Sequence, residues 1–152
     1  MHIAHLKDHP EYLLTIAAWH FNEWRQLYPQ DTLDSFTADL ENTMAGGILP
    51  STWLLMADGE LLGSASILQQ DLDSHPQLSP WLANVYIRAD QRGRGLGRYL
   101  LEGVLQRARD AGLTSLYLFT EDQMALYQRL GFHITEQYHC NGRPIVIMAA
   151  SL

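Results

Sequence analysis

A glycine-rich turn between an apolar strand and an amphipathic helix constrains this chain more than any other segment. The near-continuous apolar run WLANVYI, residues 81–87, is typical of a strand that is covered on both faces and lies centrally in a sheet. Apolar residues then recur at every fourth position from Leu96 to Ala108, which predicts the buried stripe of a helix ending at Gly112. The turn RADQRGRGLG therefore joins a central strand to a long helix.

The composition of this turn is suited to an anion. The N–H groups at a helix N-terminus carry partial positive charge, and Gly93, Gly95 and Gly97 let the backbone approach a ligand without an intervening Cβ atom. Nearby arginines can add charge-assisted hydrogen bonds. These arginines are Arg88, Arg92, Arg94 and Arg98. We therefore expect a phosphate group, although the glycine spacing fits neither the dinucleotide fingerprint nor the P-loop.

Size and composition narrow the class of protein. A chain of 152 residues with 47% apolar residues predicts one globular domain over 1–152. The net charge of −7 argues against nucleic-acid binding, for which a basic face is the usual sign. No stretch has the pattern of a membrane span or a signal peptide, so we expect a cytoplasmic protein without a membrane partner. Cys140 is the only cysteine, which excludes an intrachain disulfide, and we expect no metal.

Periodicity and turn residues predict the remaining elements. A strand at 2–6 precedes a helix with Pro10 near its first turn, and a second helix is expected from Leu33 to Ala45, capped by Asp31 or Thr32. Two hairpins turn at Asp-Gly and Asn-Gly pairs, and a short helix precedes the second hairpin. The predicted order is β-α-α-β-β-β-α-β-α-β-β.

Two motifs carry a resemblance to a known superfamily. The pattern Arg92-x-x-Gly95-x-Gly97 after a strand resembles the pyrophosphate loop of the GNAT superfamily of acyl-CoA-dependent N-acyltransferases, and ALYQRLGF, residues 125–132, resembles its closing motif. The resemblance covers the whole chain and implies an α/β (α+β) fold with a mixed, mostly antiparallel central sheet flanked by helices. The segment 116–132 also resembles animal acetyltransferases that modify the N-terminus of actin.

This resemblance implies a cofactor and the residues that bind it. In such proteins the loop amides hold the pyrophosphate of coenzyme A, and backbone groups of the preceding strand hold the pantetheine and the thioester carbonyl. The implied co-substrate is acetyl-CoA. The implied binding residues are Val85, Tyr86, Ile87, Arg92, Gly93, Arg94, Gly95, Leu96, Gly97 and Arg98. The tyrosine of the closing motif, which faces the sulfur, is Tyr127 here.

Amide formation from a thioester needs a neutral amine, a stabilised oxyanion and a proton for the leaving thiolate. A backbone N–H within 85–87 suits the oxyanion, and Tyr127, with a reference pKa near 10, suits protonation of a thiolate whose reference pKa is about 8.5. Many members of the superfamily carry a glutamate on the strand before the turn, but Ala83 occupies that position here, with Asn84 beside it. Glu23, at the end of the first predicted helix, is another candidate for a substrate or base role. Our catalytic candidates are therefore Tyr127, Asn84 and Glu23.

Other residues are candidates for the acceptor side. Asp71, Asp73 and His75 lie in the loop before the central strand and could contact a substrate or act as a base. Four aromatic residues could wall an acceptor cleft: Trp19, Trp24, Tyr28 and Trp81.

These features predict an acetyl-CoA-dependent N-acetyltransferase that acts on the primary amine of a peptide N-terminus or a small metabolite. An aminoglycoside-type N-acetyltransferase is an alternative, because a polycationic substrate favours an acidic protein. A non-catalytic acyl-CoA sensor is another alternative, but a sensor would not require Tyr127. The sequence leaves open the acceptor, the acyl chain length, the general base and whether the protein is a homodimer.

Overall fold

The computed structural model describes all residues from 1 to 152 and contains seven strands and four α-helices in the predicted order. The strands are β1 (His2–His5), β2 (Ser51–Ala57), β3 (Glu60–Leu68), β4 (Trp81–Ile87), β5 (Ser115–Thr120), β6 (His133–Cys140) and β7 (Arg143–Ser151). The helices are α1 (Leu13–Trp24), α2 (Leu33–Glu41), α3 (Leu96–Asp110) and α4 (Met124–Arg129).

The strands form one mixed sheet in the order β1-β2-β3-β4-β5-β7-β6. All neighbouring strands are antiparallel except β4 and β5, which are parallel. The expected mixed, mostly antiparallel sheet is confirmed, and β4 lies at its centre as predicted.

Strands β4 and β5 are joined at a single register position. Trp81 pairs with Tyr117, and the Tyr117 amide donates a hydrogen bond to the Pro80 carbonyl over 2.9 Å. No further pairs follow, so the carboxyl-terminal parts of the two strands diverge and leave a cleft between them. Clefts at the carboxyl ends of parallel strands are common ligand sites in open sheets.

Helices cover both faces of the sheet because successive strand residues point to opposite sides. Along β2, Leu55 packs into the core cluster that contains the buried face of α3, whereas Leu54 and Met56 pack with α1 and α2. The predicted stripe of α3 is buried from Leu96 to Ala108.

Two helix boundaries differ from the sequence-based expectation. Residues Pro10–Tyr12 form a 3₁₀ turn that leads into α1, and α2 ends at Glu41 before a 3₁₀ turn at Asn42–Met44. Such tighter turns are frequent at helix ends, where four backbone groups lack intrahelical partners. At the start of α2, Thr32 is the cap and forms a reciprocal capping box with Ser35.

Both predicted hairpin turns are present. Asp58 and Gly59 connect β2 to β3, and Asn141 and Gly142 connect β6 to β7, all with positive φ as a two-residue type I′ turn requires.

The longest helix, α3, has 15 residues. None of the helices combines the length and apolar character that crossing a membrane requires.

Candidate active site

A cavity of about 830 Å³ occupies the cleft between β4 and β5. Its walls come from β4, the glycine-rich turn, the end of β5, α4 and the end of α1. Its volume is within the range of roughly 300–1,000 Å³ that is usual for small-molecule sites. Every residue of the predicted catalytic and cofactor sets lines it except Arg94.

The glycine-rich turn is open on the side that faces the cavity. Gly93 and Gly95 have φ angles of 78° and 77°, and a Cβ atom added to either would meet no other atom within 4 Å. Gly95 precedes α3 as its N-cap and no side chain caps the helix, so the first amides of α3 are not satisfied by a cap. This arrangement suits a phosphate group.

The four arginines near the glycine-rich turn do not all line the cavity. Arg88 pairs with Asp90 at 2.6 Å and does not line the cavity. Arg94 donates to the side chain of Gln91 and does not line the cavity either. Two of the four arginines are therefore outside the cavity lining.

The other two arginines, Arg92 and Arg98, line the cavity. Arg98 pairs with Glu102 one turn along α3 at 2.8 Å. The Nε of Arg92 donates to the Ile87 carbonyl over 2.8 Å, and its guanidinium lies 5.1 Å from the centroid of the Tyr86 ring. Arg92 is therefore held against β4 beside the open turn.

A β-bulge interrupts β4 where it lines the cavity. Asn84 and Val85 together stand opposite the single residue Ala65 of β3, and Asn84 has a φ of 54°. Asparagine is one of the few residues other than glycine that adopt positive φ readily. Because a bulge leaves one residue unpaired in the ladder, this part of β4 offers backbone groups to a ligand.

Tyr127 of α4 lines the cavity and also belongs to the hydrophobic core. It is 7% exposed, and its ring packs edge-on against Phe132 with 6.0 Å between centroids. Burial raises the pKa of the Tyr127 phenol above the reference value that the sequence suggested. The hydroxyl therefore remains protonated at neutral pH.

Four carboxylates line the cavity, and three of them have partners within the protein. Glu23 Oε2 lies 3.9 Å from Arg92 Nη2. Glu121 Oε2 accepts a 2.8 Å hydrogen bond from Arg143, and Asp122 accepts a 3.3 Å hydrogen bond from Gln123.

The fourth carboxylate, Asp71, is half-buried and has no hydrogen-bond or ion-pair partner. Burial, with a smaller contribution from the negative charge of Asp73, raises the pKa of Asp71 to about 7. Asp71 therefore differs from the other cavity carboxylates in having no partner within the protein.

The remaining acceptor-side candidates have mixed outcomes. Trp24 and Tyr28 line the cavity. Trp19 is outside it but stacks on Tyr86, with 4.9 Å between ring centroids. Trp81 does not line the cavity, because its side chain is fully buried in a separate cluster and its indole N–H donates to the Leu78 carbonyl.

Asp73 and His75 do not reach the cavity, in contrast to Asp71 of the same loop. Asp73 is exposed. His75 is buried, with Nδ1 at 2.7 Å from Ser74 Oγ and Nε2 at 3.0 Å from Glu136 Oε2. His75 thus fastens the loop to β6, and neither residue is placed to act on a ligand in the cavity.

Several polar lining residues were not anticipated from the sequence. Glu121 and Gln123 follow β5, and Arg143 begins β7. No local pattern marks them, because the pairing of β5 with β7 is what brings them to the cavity.

The fold and the cavity agree with a family assignment. The sequence profile of the Acetyltransferase (GNAT) family matches residues 13–132. The chain therefore belongs to this family of acetyltransferases.

Individual relatives are similar over part of the chain. An L-methionine sulfoximine/L-methionine sulfone acetyltransferase of Pseudomonas aeruginosa is 43% identical over 58 residues, which are 36% of this chain and 34% of that protein. N-alpha-acetyltransferase 80 of Mus musculus is 42% identical over 52 residues, which are 34% of this chain and 17% of that protein. The chain thus matches about a third or less of the length of these relatives.

A solved structure shows the same fold over the full length. The ribosomal-protein-alanine N-acetyltransferase of Brucella melitensis superimposes with a TM-score of 0.77, covering 100% of both chains at 20% sequence identity.

Proposed function

We propose that the protein transfers an acetyl group from acetyl-CoA to a primary amine. The observation that carries this proposal is the single cavity in which the open glycine turn, the bulge of β4 and Tyr127 meet. Family membership supports the reaction class, and both relatives described above are named as acetyltransferases.

The residues of the cavity fit coenzyme A. The positive-φ glycines and the uncapped start of α3 suit a pyrophosphate, with Arg92 and Arg98 beside them. The unpaired edge of β4 from Val85 to Ile87 suits the amide groups of a pantetheine arm. We include Arg94 in the binding set only as an exposed charge near the turn, because it lies outside the cavity.

The chain supplies two of the groups that acyl transfer requires. A backbone N–H at the Asn84–Val85 bulge is proposed to donate to the carbonyl oxygen, where negative charge develops in the transition state. The Tyr127 hydroxyl, which lines the same cavity, is proposed to give its proton to the leaving sulfur. Asn84 and Glu23 line the same cavity and are proposed to contact the acceptor amine or its water.

The proposed acceptor is an α-amine of a peptide or of a small metabolite. An α-amine has a reference pKa of about 7.7–8.0 against about 10.4 for lysine, a difference of roughly 3.4 kcal/mol in presenting the neutral amine. The absence of a carboxylate at Ala83 favours the amine that is easier to deprotonate. The name of the mouse relative, an N-alpha-acetyltransferase, agrees with this preference.

The carboxylates of the cavity favour one other acceptor class. Glu23, Asp71, Glu121 and Asp122 would attract a polycationic amine such as an aminoglycoside.

The experiment is a thiol-release assay with acetyl-CoA and a panel of amino acids, peptides and aminoglycosides. It includes two matched peptides, one with a free N-terminus and a blocked lysine and the other with the reverse. We expect thiol release, with the larger kcat/KM for the free N-terminus at pH 7.5. Binding of coenzyme A without thiol release for any acceptor would instead indicate an acyl-CoA sensor.

A further inference from the structure

We propose that Asp71 is a catalytic residue that accepts the proton which the acceptor amine loses during acyl transfer. This inference rests on the proposed function and assigns the base that β4 lacks at Ala83. Asp71 is not on the strand at all but lies in the loop between β3 and β4.

Asp71 lines the cavity together with Tyr28, Ala83 and Asn84. After burial, its charge is the largest influence that raises the pKa of the Tyr28 hydroxyl, and it has the same rank for the Cys140 thiol. Asp71 is therefore close to both groups. The carboxylate and the bulge of β4 therefore line the same cavity.

The pairing of the cavity carboxylates distinguishes Asp71 from the others. Glu23 and Glu121 each face an arginine, and Asp122 accepts a hydrogen bond from Gln123. Asp71 has no partner although it is half-buried. A half-buried carboxylate without a partner loses part of its hydration and gains no hydrogen bond within the protein in return, so its ionised form is disfavoured there.

Asp71 has an acidic neighbour, and no cation offsets the effect of that neighbour on its pKa. Asp73 of the same loop adds negative charge, while Tyr28 from beyond α1 and Cys140 of β6 are neutral at pH 7 because their pKa values are raised. Arg143, the cation at this part of the cavity, is paired with Glu121. The resulting Asp71 pKa of about 7 matches the working pH of a general base.

The bonds and protons of the proposed step are accounted for by the amine, the thioester, Asp71, Tyr127 and solvent. The amine nitrogen forms a bond to the acetyl carbon, the carbon–sulfur bond breaks, and the nitrogen's proton moves to a carboxylate oxygen of Asp71. The departing sulfur takes the hydroxyl proton of Tyr127. Solvent then removes the proton from Asp71 and returns one to Tyr127, so the enzyme is regenerated.

The test begins with Asp71→Asn, which keeps the size of the side chain and removes its basicity. With an acceptor amine whose own pKa lies well below 7, so that its protonation adds no limb in this range, the parent is expected to lose kcat/KM as the pH falls through about 7, where Asp71 becomes protonated. The variant is expected to lose about 10²- to 10⁴-fold in kcat and to lack this acid limb, with the acceptor KM within about threefold of the parent. A kcat within about threefold, or a rise in KM alone, would overturn the assignment.

Two further variants, each lacking one charge, and a direct titration test the role of Asp71 without relying on Asp71→Asn. Asp73→Asn should move the acid limb of the parent to lower pH, because one charge that raises the Asp71 pKa is removed. Asp58→Asn, in the β2–β3 turn, removes a charge outside the cavity and should leave the profile unchanged. Carboxyl ¹³C NMR of the free protein should show Asp71 titrating near pH 7. A midpoint near 4 would refute the base role.

These outcomes separate the two proposals. A parent that transfers acetyl groups while Asp71→Asn transfers them equally well would remove only the role of Asp71. A parent that releases no thiol with any acceptor would remove the proposed function and this inference with it.

Discussion

Gly95 and Gly112 flank the two ends of α3 with similar backbone conformations, at φ angles of 77° and 90°. A Cβ atom added to either residue would meet no other atom within 4 Å. Only Gly95 lines the cavity. The two glycines therefore form a matched pair for substitution. A side chain would strain the backbone at both positions, but only at Gly95 would it lie next to a ligand in the cavity.

We expect Gly95→Leu to abolish the thermal stabilisation that coenzyme A gives the protein. Ligand binding raises stability as RT ln(1 + [L]/Kd), and a leucine side chain would fill the space proposed for the pyrophosphate. Gly112→Leu should lose a similar amount of intrinsic stability, about 1–2 kcal/mol for a left-handed non-glycine residue, and keep the ligand effect. Differential scanning fluorimetry with and without coenzyme A measures both. Equal ligand-induced shifts in the two variants would remove the turn from the binding site.

Tyr127→Phe should lower kcat more than it raises KM. The ring contact with Phe132 is kept, whereas the proton for the leaving sulfur is lost, and removal of a general acid typically reduces the rate about 10²- to 10⁴-fold. Tyr99→Phe is the control, because that hydroxyl bonds the Met1 carbonyl away from the cavity. If steady-state and single-turnover rates of Tyr127→Phe stay within about threefold of the parent, Tyr127 is a packing residue only.

The free energy of unfolding should depend on pH in a way that shows the destabilising effect of the Asp71 carboxylate. Because burial raises its pKa from 3.8 to about 7, the folded state holds a proton between these pH values that the unfolded state releases. This group therefore lowers stability as the pH rises from about 4 to 7. Urea unfolding should show Asp71→Asn becoming more stable relative to the parent over this range. A constant difference between pH 4 and 8 would mean that the carboxylate is well hydrated.

His20 should lower the free energy of unfolding as the pH falls, which is the opposite of the effect of Asp71. It is buried, its Nε2 has no hydrogen-bond partner, and burial lowers its pKa from 6.5 to about 3. Below pH 6.5 the unfolded state gains a proton that the folded state does not, so stability falls with decreasing pH. At pH 5 this loss is about 2 kcal/mol.

Urea titrations at pH 7.5 and 5 of the parent, His20→Leu and the exposed His139→Gln separate this contribution from those of other histidines. We expect only His20→Leu to reduce the loss. If His20→Leu loses as much stability as the parent between the two pH values, the buried histidine is not its cause.

Among the outcomes, the two aspartates of the β3–β4 loop show where prediction from sequence stops. Asp71 and Asp73 are two residues apart and were equal candidates, yet only Asp71 lines the cavity. No local pattern distinguishes the two, because the loop is held by contacts with distant segments, such as that of His75 with Glu136. The same holds for Trp81, whose aromatic side chain suggested a cleft wall and is instead enclosed by the core.

The sequence by itself determined the order of strands and helices, the two type I′ turns and the glycine-rich start of α3. These features depend on local sterics and on the period of apolar residues, and both can be read from residues that are close together in the sequence. Only the tertiary structure decided that β4 and β5 part after Trp81 and Tyr117, that Arg88 and Arg94 do not line the cavity, and that Asp71 lines it without a partner. Each of these follows from contacts between segments distant in sequence, for which a local pattern carries no information.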